Sequence, residues 1–161
     1  MIDKVARDAI IAAGVVDLDG FFNLIRKNDV AAVEKKLKTT DFKAVGGANL
    51  WDDYGTYPIH IAAAEGHVEM LQLLIELKAD INQPVESFLR TPLHLAVMNR
   101  KHNATKYLID VGAKTDCKDV FHRAPRSYAV DEDVMRMVYE VICGAHVHPK
   151  MINFPIYLFP S

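Results

Sequence analysis

The sequence predicts an all-α fold, a solenoid of about four stacked helix-turn-helix repeats. The segment P-I-H at 58–60 recurs as P-L-H at 92–94, and the pair L-I at 74–75 recurs at 108–109. Both landmarks keep an offset of 34 positions although they lie at opposite ends of the repeated unit. A sequence period of ~20–50 residues is typical of solenoids, in which each unit is one supersecondary structure that stacks on the next.

The period divides the chain into segments. We predict an N-terminal capping helix at 1–17, repeats at about 18–50, 51–83, 84–117 and 118–145, and a C-terminal tail rich in proline and aromatic residues at 146–161. The first segment is amphipathic, because its apolar residues recur at helical spacing. These residues are Ile2, Val5, Ala6, Ala9, Ile10 and Ala13.

The two inner repeats are predicted to contain a tight turn, a short helix and a longer second helix. In the repeat at 51–83, Gly55 suits the turn, Pro58 suits the first position of a helix, and Gly66 separates the two helices. The repeat at 84–117 follows the same plan, with Gly112 as a left-handed helix cap. Leu89 replaces the turn glycine there, so we expect an irregular turn between positions 86 and 90.

The two outer repeats are degenerate. Residues 21–37 keep the helix, Asn-Asp break, helix pattern, but Asn28 precedes Gly66 by 38 positions, so we expect a loop of extra residues around 43–50. A-P-R-S-Y-A at 124–129 stands where T-P-L-H-L-A stands one repeat earlier. The tail contains three prolines, which forbid a continuous helix. It either folds back over the last repeat or docks on a partner.

Composition argues against several functional classes. The 161 residues carry a formal net charge of −2 and no long basic run, so neither nucleic acid nor an anionic membrane is the expected partner. No run approaches the ~20 apolar residues of a membrane span. Asp3 and Arg7 interrupt the apolar opening segment, which argues against a signal peptide. Cys117 and Cys143 lack a C-x-x-C spacing. We therefore expect a protein of the cytoplasm or the nucleus.

From about position 19 to position 143 the chain resembles the ankyrin-repeat family. The resemblance rests on D-x-x-G-x-x-P-I-H-I-A-A-x-E-G-H at 52–67, on A-D-I-N at 79–82 and on T-P-L-H-L-A at 91–96. Tyr57 replaces the threonine of the family pattern, and Lys78 replaces a glycine. The layout is similar to small stand-alone ankyrin proteins such as myotrophin, the small cyclin-dependent-kinase inhibitors and the viral IκB-like proteins.

The resemblance implies that a partner protein is bound by the concave face and the turn tips. The positions that match the family's contact positions are Asp53, Tyr54, Thr56, Glu65, Ser87, Phe88, Arg90, Met98, Asn99, Phe121 and Arg123. Three of them, Tyr54, Phe88 and Phe121, fall at one equivalent tip position, and interface hot spots favour aromatic residues and arginine. Alternatively, these aromatic residues pack on the neighbouring repeats.

No group of residues predicts catalysis, a cofactor site or a metal site. The chain has neither a G-x-S-x-G elbow nor a G-x-x-x-x-G-K phosphate loop. His60 and His94 occupy a structural position of the family pattern. His146 and His148 are the only close histidine pair outside a repeat, and no cysteine or carboxylate accompanies them at zinc spacing. We expect no enzyme activity, no cofactor and no metal ion.

We therefore expect a small intracellular inhibitor or adaptor that is monomeric when free and binds another protein. The alternative is a regulatory or assembly subunit of a larger enzyme or signalling complex, including IκB-like inhibition of a transcription factor. The resemblance also makes Asn82 a candidate for hydroxylation, because Leu74 and D-I at 80–81 precede it at the spacing that asparaginyl hydroxylases recognise. Alternatively, Asn82 bonds backbone groups of its loop.

Overall fold

The computed structural model describes residues 4–130 and 135–136 of the chain. This part forms eight α-helices, two short 3-10 helices and no β-strand, so the predicted all-α fold is confirmed. The α-helices are α1 Lys4–Ala12, α2 Leu18–Arg26, α3 Val30–Leu37, α4 Thr40–Ala44, α5 Pro58–Glu65, α6 Val68–Glu76, α7 Pro92–Met98 and α8 His102–Asp110. The 3-10 helices are Gly47–Asn49 and Pro125–Tyr128.

The helices form pairs that stack in two layers. The pairs are α2 with α3, α5 with α6, and α7 with α8. The first helices α2, α5 and α7 lie side by side in one layer, which the 3-10 helix Pro125–Tyr128 continues, and the second helices α3, α6 and α8 form the other layer. The main contacts of each pair are with the pairs before and after it, as expected of a solenoid.

A continuous apolar core runs between the layers. In α6, Met70, Leu71 and Leu74 are completely buried. Ala104 and Leu108 of α8 lie 34 positions after Met70 and Leu74 and are equally buried. Full burial of a leucine side chain stabilises a fold by ~1.5–3 kcal/mol. The apolar stripes of the second helices therefore hold the repeats together.

The extra residues of the first repeat do not form the expected loop. They fold into α4 and the 3-10 helix Gly47–Asn49. Phe42, Val45 and Ala48, spaced three positions apart, are all buried, and the Phe42 ring centroid lies 4.8 Å from that of Phe21 in α2. The loop prediction was wrong because this spacing places the apolar side chains on one face, which the core of the first repeat covers.

Residues in the left-handed conformation separate the helices. Between the two helices of a repeat stand Asn28, Gly66 and Arg100, with φ of 57°, 83° and 56°. After the second helix stand Lys78, with φ of 68°, and Gly112, with φ of 93°. A left-handed conformation costs a residue with a side chain ~1–2 kcal/mol. Lys78 thus bears a strain that glycine avoids at the equivalent position of the next repeat.

Two asparagines connect successive repeats. Asn49 Oδ1 accepts a hydrogen bond from the backbone N–H of Asp80 (3.0 Å), and the Asn49 amide donates to the carbonyl of Lys78 (3.0 Å). One repeat later, Asn82 Oδ1 accepts from the backbone N–H of Lys114 (2.8 Å). Asn82 therefore bonds a backbone group of the following loop, and its hydroxylation stays a prediction.

Two buried histidines brace the turns before α5 and α7. The backbone N–H of Thr91 donates to Nδ1 of His94 (3.1 Å), so this nitrogen carries no hydrogen, and Nε2–H donates to the carbonyl of Arg123 (3.1 Å). The Thr91 hydroxyl also lies 2.9 Å from Nδ1. His60 Nδ1 accepts a hydrogen bond from the Tyr57 N–H (3.2 Å) in the same way, and its Nε2 bonds the carbonyl of Gln83 (2.8 Å), the last residue of the predicted repeat 51–83. His94 thus ties its own repeat to the next, whereas His60 ties the start of its repeat to its end.

The ends of the chain are only partly described. Near the start, α1 exposes 73% of Val5, whereas Ile10 packs against the core. The predictions for the second helix of the fourth repeat, for the tail at 146–161, for Cys143 and for the histidine pair at 146 and 148 concern residues outside the described ones.

We expect Lys78→Gly to raise the free energy of unfolding by about 1 kcal/mol, because glycine adopts the left-handed conformation at this position without steric cost. The carbonyl that accepts the Asn49 hydrogen bond is kept. Lys106→Gly, at an exposed position within α8, is the control and should lower the free energy by about 1 kcal/mol. Urea titrations of the three proteins measure both changes. An equal loss in both variants would show that the Lys78 side chain makes a stabilising contact.

The free energy of unfolding should fall by about 2 kcal/mol between about pH 7.5 and about pH 5. Burial lowers the pKa of His60 from 6.5 to about 4, so in this interval the unfolded chain binds a proton that the folded chain does not. The contribution of His60 is complete above pH 6.5 and is lost as the pH falls toward about 4. Burial also lowers the pKa of His94, which adds to the same trend.

The pH dependence is measured by urea titration of the unmodified protein and of His60→Gln. The variant lacks His60, one of the two histidines whose pKa is lowered by burial, so its free energy of unfolding should change less over the same interval. A pH-independent stability of the unmodified protein would contradict the pKa assigned to His60.

Candidate protein-binding surface

Three hairpin turns precede the first helices of the last three repeats. They span residues 52–56, 85–90 and 119–123. Each turn is closed by a backbone hydrogen bond, in which the N–H of the first residue donates to the carbonyl of the last over 2.8 to 3.0 Å. The middle turn is one residue longer than the other two, so the irregular turn expected there is present.

An aspartate shapes two of these turns. Asp52 Oδ1 accepts hydrogen bonds from the backbone N–H groups of Tyr54 (2.9 Å) and Thr56 (2.8 Å). Asp119 Oδ1 accepts the equivalent pair at 2.9 Å and 3.0 Å. Val85 takes this place in the middle turn and offers no carboxylate, which accounts for the different shape of that turn.

One aromatic residue occupies the same position in each turn. The residues are Tyr54, Phe88 and Phe121, and their exposed fractions are 83%, 45% and 54%. Each stands directly before a residue whose φ lies between 54° and 71°, so the three positions are equivalent in backbone conformation. A ring that fills space between repeats is buried, as Phe21 is. We call these three residues the aromatic column.

Two arginines lie against the rings of the last two turns. Arg123 Cζ is 4.7 Å from the ring centroid of Phe121 and 4.6 Å from that of Tyr128. Arg90 Cζ is 4.9 Å from the centroid of Phe88 and 5.5 Å from that of Tyr128. All four distances lie within the ~6 Å of a cation–π contact. These five residues form one arginine–aromatic cluster, with Tyr128 at its centre.

Asp119 supports the cluster from the interior. It is 3% exposed, and its Oδ2 accepts a hydrogen bond from the Tyr128 hydroxyl and lies 3.8 Å from Nε of Arg90. Desolvation by burial alone would raise the pKa of Asp119. The hydrogen bonds from Tyr128 and from the backbone of Arg123 and Phe121, together with the charge of Arg123, outweigh it and lower this pKa to about 2. The carboxylate therefore stays ionised and holds Tyr128 in place.

The remaining residues of the predicted site do not join the cluster. Among the described residues, the Tyr54 ring makes no ring contact and no cation–π contact. Glu65 lies at the inter-helix turns instead, where it lines a cleft of about 320 Å³ with Gly66 and residues 100–104. Of the others, Asp53, Ser87 and Asn99 are exposed, whereas Thr56 and Met98 are half-buried.

Sequence reasoning missed Asp119 and Tyr128. Asp119 had a signal, because it lies two repeats after Asp52 and has the same role in its turn. Tyr128 had none, since it replaces an apolar residue of the repeat pattern and only the fold brings its hydroxyl to Asp119.

Potential metal ligands and one cysteine, Cys117, lie among the described residues. No group of three or more His, Cys, Asp or Glu residues among them can hold a metal ion. Burial raises the pKa of the Cys117 thiol, which keeps it protonated and weakly nucleophilic at neutral pH. None of the described helices is long and apolar enough to span a membrane.

Comparisons with known proteins agree with this architecture. A family model described as Ankyrin repeats (3 copies) matches residues 21–119. Protein phosphatase 1 regulatory subunit 27 of Homo sapiens is 30% identical over 118 residues, which cover 73% of each chain. The probable 26S proteasome regulatory subunit p28 of Saccharomyces cerevisiae is 34% identical over 95 residues, 58% of this chain and 41% of that protein. The NF-kappa-B inhibitor cactus of Drosophila melanogaster is 30% identical over 70 residues, 44% of this chain and 14% of that protein.

The matched region begins within α2 and extends beyond α8, so it covers the three helix pairs except for the start of α2. The chain spans less than half of the length of the yeast and fly relatives. The stacked pairs, the two buried histidines that brace the turns, and the family match lead to one conclusion. The chain belongs to the ankyrin-repeat family.

Proposed function

We propose that the protein binds another protein through the turn tips and the adjoining concave face of its stack, and that it acts by blocking, tethering or presenting this partner. Ankyrin repeats mediate protein–protein interaction. The observation that carries the proposal is the aromatic column, three exposed rings at one equivalent position of three successive turns.

The energetics of such a surface favour binding without any chemical step. Interface hot spots are enriched in aromatic residues and arginine, and one buried anchor contributes ~2 kcal/mol or more. The hydrogen bonds of Asp52 and Asp119 fix the backbone on which Tyr54 and Phe121 stand. Because these turns are ordered before a partner arrives, little conformational entropy is lost on binding.

The other predicted contact residues would form the rim of the interface. Polar side chains around a central apolar group exclude water and set specificity more than affinity. The proposed rim residues are the polar Asp53, Thr56, Glu65, Ser87 and Asn99, together with the apolar Met98. Arg90 and Arg123 adjoin the aromatic column at Phe88 and Phe121.

The alternative is a regulatory or assembly subunit of a larger enzyme or signalling complex, including IκB-like inhibition of a transcription factor. The names of the relatives support it, since two are regulatory subunits and one is an inhibitor of NF-kappa-B. An interface on the outer sides of α3, α6 and α8, away from the turn tips, would favour assembly. In either case we propose a protein without catalytic activity that is monomeric when free and acts in the cytoplasm or the nucleus.

Replacement of Tyr54, Phe88 and Phe121 by alanine should abolish capture of the partner while the protein stays folded. Substitutions of exposed residues change stability by about ±0.5 kcal/mol each, whereas each anchor contributes ~2 kcal/mol or more to binding. Affinity capture with quantitative mass spectrometry compares the partners of the variant and the unmodified protein, and urea titration measures its stability.

The matched control is Lys35→Ala, Gln72→Ala and Lys106→Ala, one exposed residue on each of the second helices. This control should keep the partner. If only the control variant lost the partner, the interface would lie on the outer sides of α3, α6 and α8, which would support the alternative of an assembly subunit. An unfolded triple-alanine variant would show instead that the aromatic column packs the stack.

A further inference from the structure

We propose that the segment of the partner that contacts the last two turns is acidic, with a carboxylate bound by Arg123 and Arg90 and an apolar side chain on Phe121 or Phe88. The inference rests on the proposed function and adds the chemistry of the ligand. It starts from the arginine–aromatic cluster, which joins residues of two successive repeats around Tyr128.

The cluster orders both guanidinium groups in advance. Each Cζ lies 4.6 to 5.5 Å from two ring centroids, so ring contacts restrict the guanidinium, and those of its N–H groups that do not face a ring can donate to an acceptor. A carboxylate matches these groups because it accepts two parallel hydrogen bonds from one guanidinium. Since the arginine rotamers are already restricted, binding costs less side-chain entropy than at a free surface arginine.

The hydrogen-bonding capacity of the two arginines is not used up within the described residues. The Arg90 side chain is 19% exposed, and its Nε has no hydrogen-bond partner among them, since Asp119 Oδ2 lies 3.8 Å away. Asp119 Oδ1 accepts from two backbone N–H groups and Oδ2 from Tyr128, so this carboxylate is committed to the turn. Arg123 itself is exposed to solvent. Because Arg90 Nε is itself buried, an external carboxylate reaches the exposed Arg123 first, and Arg90 only through the part of its side chain that is exposed.

The charge around the cluster selects a short acidic segment and disfavours a long polyanion. Residues 114–126 contain four lysine or arginine residues and two aspartates, one of which is the internal Asp119. The turn of the second repeat carries Asp52 and Asp53, and Glu86 follows in the third. Nucleic acid laid along the turns would meet all three of these carboxylates, whereas a short acidic peptide at the last two turns would meet only Glu86.

The test uses random short peptides displayed on phage and selected on the full chain. We expect the selected peptides to share an aspartate or glutamate next to an apolar residue. A labelled peptide from this selection then serves as the probe in fluorescence polarisation, beside a version in which the acid is replaced by its amide. The amide version should bind about tenfold more weakly, the loss expected for one charge-assisted bidentate pair.

Arg123→Gln should weaken the acidic peptide about tenfold, and Arg123→Lys should restore only part of the affinity, because lysine keeps the charge but not the bidentate fork. Arg126→Gln removes the same charge from an exposed arginine outside the cluster and should change the affinity less than about twofold. Arg123 is chosen over Arg90 because it is exposed, so its replacement leaves the fold intact.

Selected peptides without a shared acid, or an affinity that Arg123→Gln leaves unchanged, would overturn the inference. If peptides of either kind bind the unmodified protein but not the triple-alanine variant of the aromatic column, the proposed function stands and only the acidic ligand is wrong. If the triple-alanine variant binds the peptides as well as the unmodified protein, both proposals fail. Equal effects of Arg123→Gln and Arg126→Gln would mean general charge attraction and would also overturn the bidentate site.

Discussion

The second helices of the stack carry apolar stripes that the first helix of the same repeat and the neighbouring repeats cover together. Met70 and Leu74 of α6 and the equivalent Ala104 and Leu108 of α8 are fully buried. Because each pair must place its stripe against the next pair, successive repeats are fixed at one relative position, and so are the turns that precede them. The aromatic column follows from this constraint. The Tyr54 ring does not touch the other two rings, so it is the stacking of the repeats that aligns it with them.

Fold stability and partner recognition therefore depend mostly on different residues. The stripes and the buried histidines lie inside the stack, whereas the aromatic column lies at its edge. A change of residue at a turn tip leaves the buried contacts intact, so one scaffold can serve different partners. The exposed rings also carry a cost, because apolar surface at the edge of a monomer favours association.

Features that repeat along the chain were predictable, whereas contacts between unlike residues were not. The helix stripes and the left-handed glycines at 55, 66 and 112 follow from periodicity and residue type. The fold of residues 40–50 was missed because the core that covers Phe42 belongs to α2. The Tyr128–Asp119 pair was missed because it joins a 3-10 helix to a turn, and no spacing rule connects the two.

The fourth repeat differs from the inner ones in how its turn is braced. Ala124 and Ser127 replace the threonine and histidine that stand at 91 and 94, and the Tyr128 hydroxyl on Asp119 holds the turn instead. The histidine braces are buried, but Tyr128 also forms the platform for Arg90 and Arg123. A ligand bound to these arginines would act on Tyr128, which orders the turn through Asp119. Ligand binding and the folding of this turn are therefore linked at this end of the stack. The inner repeats lack this link, because their braces lie beneath the surface.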